Sequence, residues 1–133
     1  MTNTDKKITT LIFDCFGVVS SPVLGSWYKI NSKKYGFTDD NIQNVFHKYD
    51  LGEYSEDDIV DYFSSYEEIK STKKEIREEI DRYLKLDEKL FKKIMEYKAN
   101  GYKLVLLSNA NSSFFNRKVF PAYPEIKLFL MKL

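Results

Sequence analysis

Cysteine is almost missing from this chain. Cys15 is the only one among 133 residues, so there can be no internal disulfide and no cysteine cluster for zinc. Beside a strand end it reads as a small buried side chain rather than a reactive thiol. Histidine is equally scarce. His47 stands alone, on a helix carrying Val45 and Phe46 and with no evident carboxylate partner, which suits a partly exposed polar residue better than a catalytic base. Charge of one sign is lacking too: 21 Lys and Arg face 20 Asp and Glu. No overall field therefore favours nucleic acid or an anionic membrane. The longest apolar runs, Leu104 to Leu107 and Leu128 to Met131, are far too short to span a bilayer, and the start "MTNTDKK" has no signal-peptide apolar region. The expectation is a cytoplasmic protein. No repeat or low-complexity linker is visible, which leaves a single domain.

What the chain does have is apolar bulk, 43% of residues with 16% aromatic, enough to build a core. "ITTLIF", Ile8 to Phe13, is apolar and β-branched on both parities, which predicts a strand buried on both faces of a parallel sheet. Tyr102 to Leu107 repeats that pattern, and Ile126 to Met131 predicts a third strand. Between the first two lies a long helical stretch. Ser21 and Pro22 predict the start of a first helix with Trp27 and Tyr28 on its inner face and Gly36 as its stop. Ile42, Val45, Phe46 and Tyr49 mark a second helix, ending near Gly52. Ser55 with Asp58 resembles a capping box before a third, with Ile59, Phe63 and Tyr66 inside. Ile76, Ile80, Tyr83 and Leu84 mark a fourth. Leu90, Phe91, Ile94 and Met95 mark a fifth, closed by Asn100 and Gly101. The charge runs "STKKEIREEIDR" and "EKLFKKIMEYK" read as solvated faces. So long a helical stretch exceeds an ordinary crossover, and part of it should form a small bundle lying over the sheet as a lid.

Each of the first two strands ends in polar residues. Asp14 follows "LIF", and Ser108 with Asn109 follows "LVLL". Ligands bind beyond the carboxyl ends of strands in open parallel sheets, so these distant positions can share one crevice. A carboxylate at such a place either caps the next turn or works as a nucleophile on a phosphoryl group or an activated carbon. Gly17 permits a tight turn, and Asn111, Ser112 and Ser113 can open a helix whose free N–H groups would hold an anion. Arg117 and Lys118 could attract an anionic substrate, or simply complement a helix dipole. Trp27 and Tyr28 could line a pocket, although aromatics at helical spacing are more often core.

Taken in order, "LIFDCFGVV", a helical insertion containing "YDLGEYSEDD", and "GYKLVLLSNA" resemble the haloacid dehalogenase (HAD) superfamily, in its subgroup with a helical cap after the first motif. The resemblance covers nearly the whole chain. It implies an α/β fold: an incomplete Rossmann-like parallel sheet core from residues 1–20 and 99–133, with an α-helical cap inserted over 21–98. It further implies a hydrolase acting on a small anionic substrate, with Asp14 as nucleophile and as ligand to Mg2+, and with Ser108, Asn109, Phe16 and Gly17 around the substrate. Members are mostly magnesium-dependent phosphatases, with dehalogenases among them.

Two departures qualify what the resemblance implies. The phosphatases carry a second aspartate two residues after the nucleophile, and this chain has Phe16 there. Phenylalanine moves no proton, so departure of an alcohol from a phosphate ester would lose general acid catalysis of about 10²–10⁴-fold. Halide needs no proton to leave, and the family's 2-haloacid dehalogenases have tyrosine at this position, although Phe16 lacks the hydroxyl. The family's third motif, a lysine, and its fourth, an acidic pair completing the magnesium site, do not occur, and "FLMKL" reads as a chain cut short. Weak or absent magnesium binding is the expectation, since that ion usually takes more than one protein oxygen group. A sheet lacking later strands would expose an edge and favour self-association. The alternative to a divergent phosphatase or dehalogenase-like enzyme is a catalytically silent fragment or a binding protein.

Overall fold

The computed structural model describes residues 8–15, 22–108, 111–128 and 130–132. It is an α/β structure in which helices predominate. Strand β1 (Thr10–Asp14) leads to five helices, α1 (Val23–Tyr35), α2 (Ile42–Asp50), α3 (Glu56–Ser64), α4 (Lys73–Arg82) and α5 (Glu88–Ala99). Strand β2 (Lys103–Ser108) follows. The chain then passes through a short α6 (Ser112–Phe114), a π-helical turn (Phe115–Val119), α7 (Phe120–Ala122) and a 3-10 turn (Pro124–Leu128) to β3 (Leu130–Lys132).

The helix boundaries follow from local chemistry. Gly36 ends α1 in the left-handed conformation, at φ 72°, with its N–H returned to the Ser32 carbonyl, a geometry that costs glycine nothing. Ser55 accepts a hydrogen bond from the Asp58 N–H while the Asp58 carboxylate accepts from the Ser55 N–H, completing the capping box of α3. Thr72 and Glu75 make the same reciprocal pair at the start of α4. That second box lies inside a run that reads from sequence only as a charged face.

One buried cluster joins the bundle to the sheet. In the bundle, Trp27 stacks on Phe63 with ring centroids 3.9 Å apart, among Val45, Ile59 and Ile76. On the sheet side the cluster continues through Ile94, Leu104, Leu106, Phe115 and Ile126. Tyr28 belongs to its margin: its hydroxyl accepts from the Asp39 N–H at 2.8 Å, and the Asp39 carboxylate accepts from Tyr62 and Tyr66.

The three strands are parallel, in the order β1-β2-β3. Leu11 pairs with Leu104 and Phe13 with Leu106, and all four pack on the core. The expectation of a first strand buried on both faces fails: Ile12 is 62% exposed and Thr10 and Asp14 are exposed beside it. Topology explains this. Parallel crossovers are right-handed, so two that step in the same direction across a sheet place their connections on one face. That face is covered, whereas on the other the β1 residues stay exposed although Val105, the partner of Ile12 on the central strand, is buried. The third strand is also shorter than its apolar run suggests, because Ile126 is buried in the 3-10 turn and only Leu130–Lys132 pairs with β2.

Candidate functional site

The parallel register brings the ends of β1 and β2 side by side. Asp14 is paired with Leu107, and the next residue, Cys15, donates its N–H to the Leu107 carbonyl at 3.1 Å. Ser108, the last residue of β2, therefore lies one step beyond the Asp14–Leu107 pair. Two positions remote in sequence thus meet at the carboxyl edge of one sheet. Phe16, Gly17 and Asn109 lie outside the described residues.

The Asp14 side chain is exposed, and its Oδ1 accepts from the Cys15 N–H at 2.9 Å. The carboxylate is accessible, as a nucleophile must be. Cys15 is different in kind. Its thiol is 1% exposed, and burial, reinforced by the adjacent Asp14 charge, pushes its pKa up to about 12, so it stays protonated and inert. For a divalent cation the donor set is thin. Asp14 is one carboxylate, and no group of three or more His, Cys, Asp or Glu able to hold a metal occurs among the described residues. Magnesium takes near-octahedral oxygen coordination and here would rely largely on water.

The residues after β2 are already engaged with the bundle. The Asn111 carboxamide oxygen caps α6 by accepting from the Ser113 N–H at 2.9 Å, and its Nδ2 donates to the Tyr54 carbonyl. Ser113 Oγ donates to Glu56. Arg117, in the π-helical turn, grips two carboxylates at once: Asp81 through both terminal nitrogens at 2.9 Å, and Glu56 at 2.6 Å. Although burial opposes it, hydrogen bonds from Arg117 and Ser113 and the charges of Arg117 and Arg77 hold Glu56 below the usual carboxylate range. Hydrogen bonding to Asp81, and then to Glu56, raises Arg117 further. Arg117 is thus a structural clasp between the segment after β2 and helices α3 and α4, rather than a free guanidinium awaiting an anion. Lys118 lies 4.0 Å from Asp81. Trp27 is core, at 1% exposure.

Beside this clasp is a cavity of about 390 Å³, near the small end of ligand-sized pockets. Its walls include Leu24, Phe46 and Ile59, and its polar groups include Tyr49, Asp50 and the Glu56–Arg117 pair. Neither Asp14 nor Ser108 lines it. Tyr49 reads from sequence only as part of the inner face of α2, and Asp50 draws no notice. The available signal was an acid in the last turn of a helix, where it opposes the macrodipole.

No known family model matches this chain, and no curated protein matches it. No described helix is long and apolar enough to cross a membrane.

Proposed function

We propose that the chain is a HAD-like hydrolase, a partial Rossmann-like core of residues 1–20 and 99–133 under a helical cap of residues 21–98, acting on a small anionic substrate. The adjacency of Asp14 and Ser108 on neighbouring parallel strands is the observation that supports this reading best. Asp14 attacks the reacting phosphorus or carbon, the bond to the leaving group breaks with its electron pair, and water hydrolyses the resulting aspartyl phosphate or aspartyl ester. Ser108 and Asn109 hold the substrate's anionic group, with Phe16 and Gly17 beside it. A bound magnesium ion would offset charge on Asp14 and on the transferring group, and Asp14 is the described side chain that would hold it. Among the described residues no strand pairs with the outer edge of β1, which offers a route to self-association.

Phe16 favours a second reading, a protein that keeps the fold without turnover, because it supplies no proton to a leaving alkoxide. The deciding experiment follows phosphate release from phosphate esters and halide release from 2-haloacids, each with wild type and Asp14→Asn. The hydrolase reading expects one of these activities, abolished in the variant. Turnover indifferent to Asp14→Asn would remove the nucleophile assignment, and no turnover on either class would favour the silent protein.

A further inference from the structure

The cavity beside the clasp contains polar groups that have no hydrogen-bond partner among the described residues. Its two arginines are taken: Arg117 by Glu56 and Asp81, and Arg77 by Asp57, with Glu56 at 3.8 Å. Asp50 makes no hydrogen bond or ion pair with any described residue. It closes α2, where a negative charge meets the negative end of the helix dipole. Burial raises its pKa, with His47 opposing in part. Asp50 is exposed, so water solvates its carboxylate and leaves it open to a ligand at the cavity.

Tyr49, its neighbour, supplies an independent observation. It is only 7% exposed, lines the cavity, and its hydroxyl has no hydrogen-bond partner among the described residues. The charges that act on that hydroxyl are those of Glu56, Asp50, Arg117 and Arg77, all of them cavity residues, so the phenol oxygen lies toward the cavity's polar side. The phenol oxygen is not closed off from solvent and so opens onto the cavity, where it and the uncommitted Asp50 carboxylate face walls such as Leu24, Phe46 and Ile59.

We propose that this cavity is a binding site for a small apolar molecule bearing one protonated amine, with the ammonium paired to Asp50 and hydrogen-bonded to the Tyr49 hydroxyl. The carboxylate excess of the lining, Asp50, Glu56 and Asp81 against Arg77 and Arg117, sets the sign of the ligand's charge. The site is distinct from the Asp14 strand end and does not depend on the hydrolase reading.

The test is calorimetric titration of the full chain with three probes of one shape, phenethylamine, 3-phenylpropanoate and 2-phenylethanol. Each is measured on wild type, Asp50→Asn and Tyr49→Phe, with thermal melts as a check on folding. The amine should bind about fivefold more tightly than the carboxylate, and Asp50→Asn should cost the amine about threefold to fivefold while leaving the alcohol unchanged, as expected for an ion pair at an exposed carboxylate. Tyr49→Phe should weaken the amine by a smaller factor. Because Asp50 opposes its helix, Asp50→Asn should also melt no lower than wild type. Equal binding of amine and carboxylate, an amine affinity indifferent to Asp50→Asn, or no binding of the amine would each overturn the proposal.

Discussion

The helical bundle and the sheet solve the problem of burial differently. In the bundle, Trp27, Val45, Phe63 and Ile76 are almost wholly removed from water, and three of the helices, α3, α4 and α5, start with a side-chain cap. In the sheet, β1 buries one face and leaves Ile12 on the other at 62% exposure. The bundle is finished as a packing problem, while β1 keeps one exposed face and, among the described residues, an outer edge that pairs with no strand. Stability should therefore be concentrated in the bundle, and the strand ends are free to carry polar groups that packing would not choose.

Matched truncations would break that contrast or confirm it. Phe63→Ala removes a ring with no exposure, stacked on Trp27, and should cost about 3–5 kcal/mol in a denaturant melt. Arg117→Met leaves Glu56 and Asp81, whose side chains are 11% and 14% exposed, without their shared guanidinium. Breaking a fully buried pair costs about 3–5 kcal/mol, and partial exposure of Arg117 lowers the expectation to about 1–3 kcal/mol. Ser55→Ala opens the α3 capping box and should cost about 1 kcal/mol. Ile12→Thr, although it too removes apolar atoms, should change stability by less than about 0.5 kcal/mol, because Ile12 is already in water. If Ile12→Thr proved as costly as Phe63→Ala, something covers that face in solution, and sedimentation of the two proteins would show it.

The clasp also carries a pH signature. Glu56 is held below its ordinary pKa in the folded protein, so its contribution is fully present above the unfolded carboxylate value near 4.5. It is lost as pH falls through the lower folded value. Asp50 has the opposite sign. Its folded pKa is raised above 3.8, so acidification relieves it. Glu56→Gln should flatten the acid limb of the stability curve, whereas Asp50→Asn should steepen it, both read from denaturant midpoints between neutral pH and the onset of acid unfolding.

Much of the bundle was legible in the sequence because its signals are local. Gly36 at the end of α1, the Ser55–Asp58 box, and Asn100 with Gly101 closing α5 all act within a turn of themselves. The Thr72–Glu75 box was equally local but hidden in a run of charges, where composition suggests only solvation. The strand ends were legible as a pair, since a shared grammar places Asp14 and Ser108 at equivalent points. What escaped was everything decided at long range. The bare face of β1 depends on strand order, and no apolar periodicity encodes which neighbour comes next. The Arg117 clasp joins groups 61 positions apart, and the same basic residue reads equally well as a dipole partner. The cavity at Tyr49 and Asp50 needed four helices in place before either group could be seen as unpaired.

The central claim concerns Asp14, and acid-quenched reactions followed by peptide mass spectrometry test it most directly. Wild type and Asp14→Asn would be mixed with a phosphate ester or a 2-haloacid, quenched within the first turnovers, and digested. An aspartyl phosphate (from the phosphate ester) or aspartyl ester (from the 2-haloacid) on the peptide containing Asp14, absent from the variant, is the result the hydrolase reading predicts. Turnover without an adduct at Asp14 at any quench time, and unchanged in the variant, would contradict it.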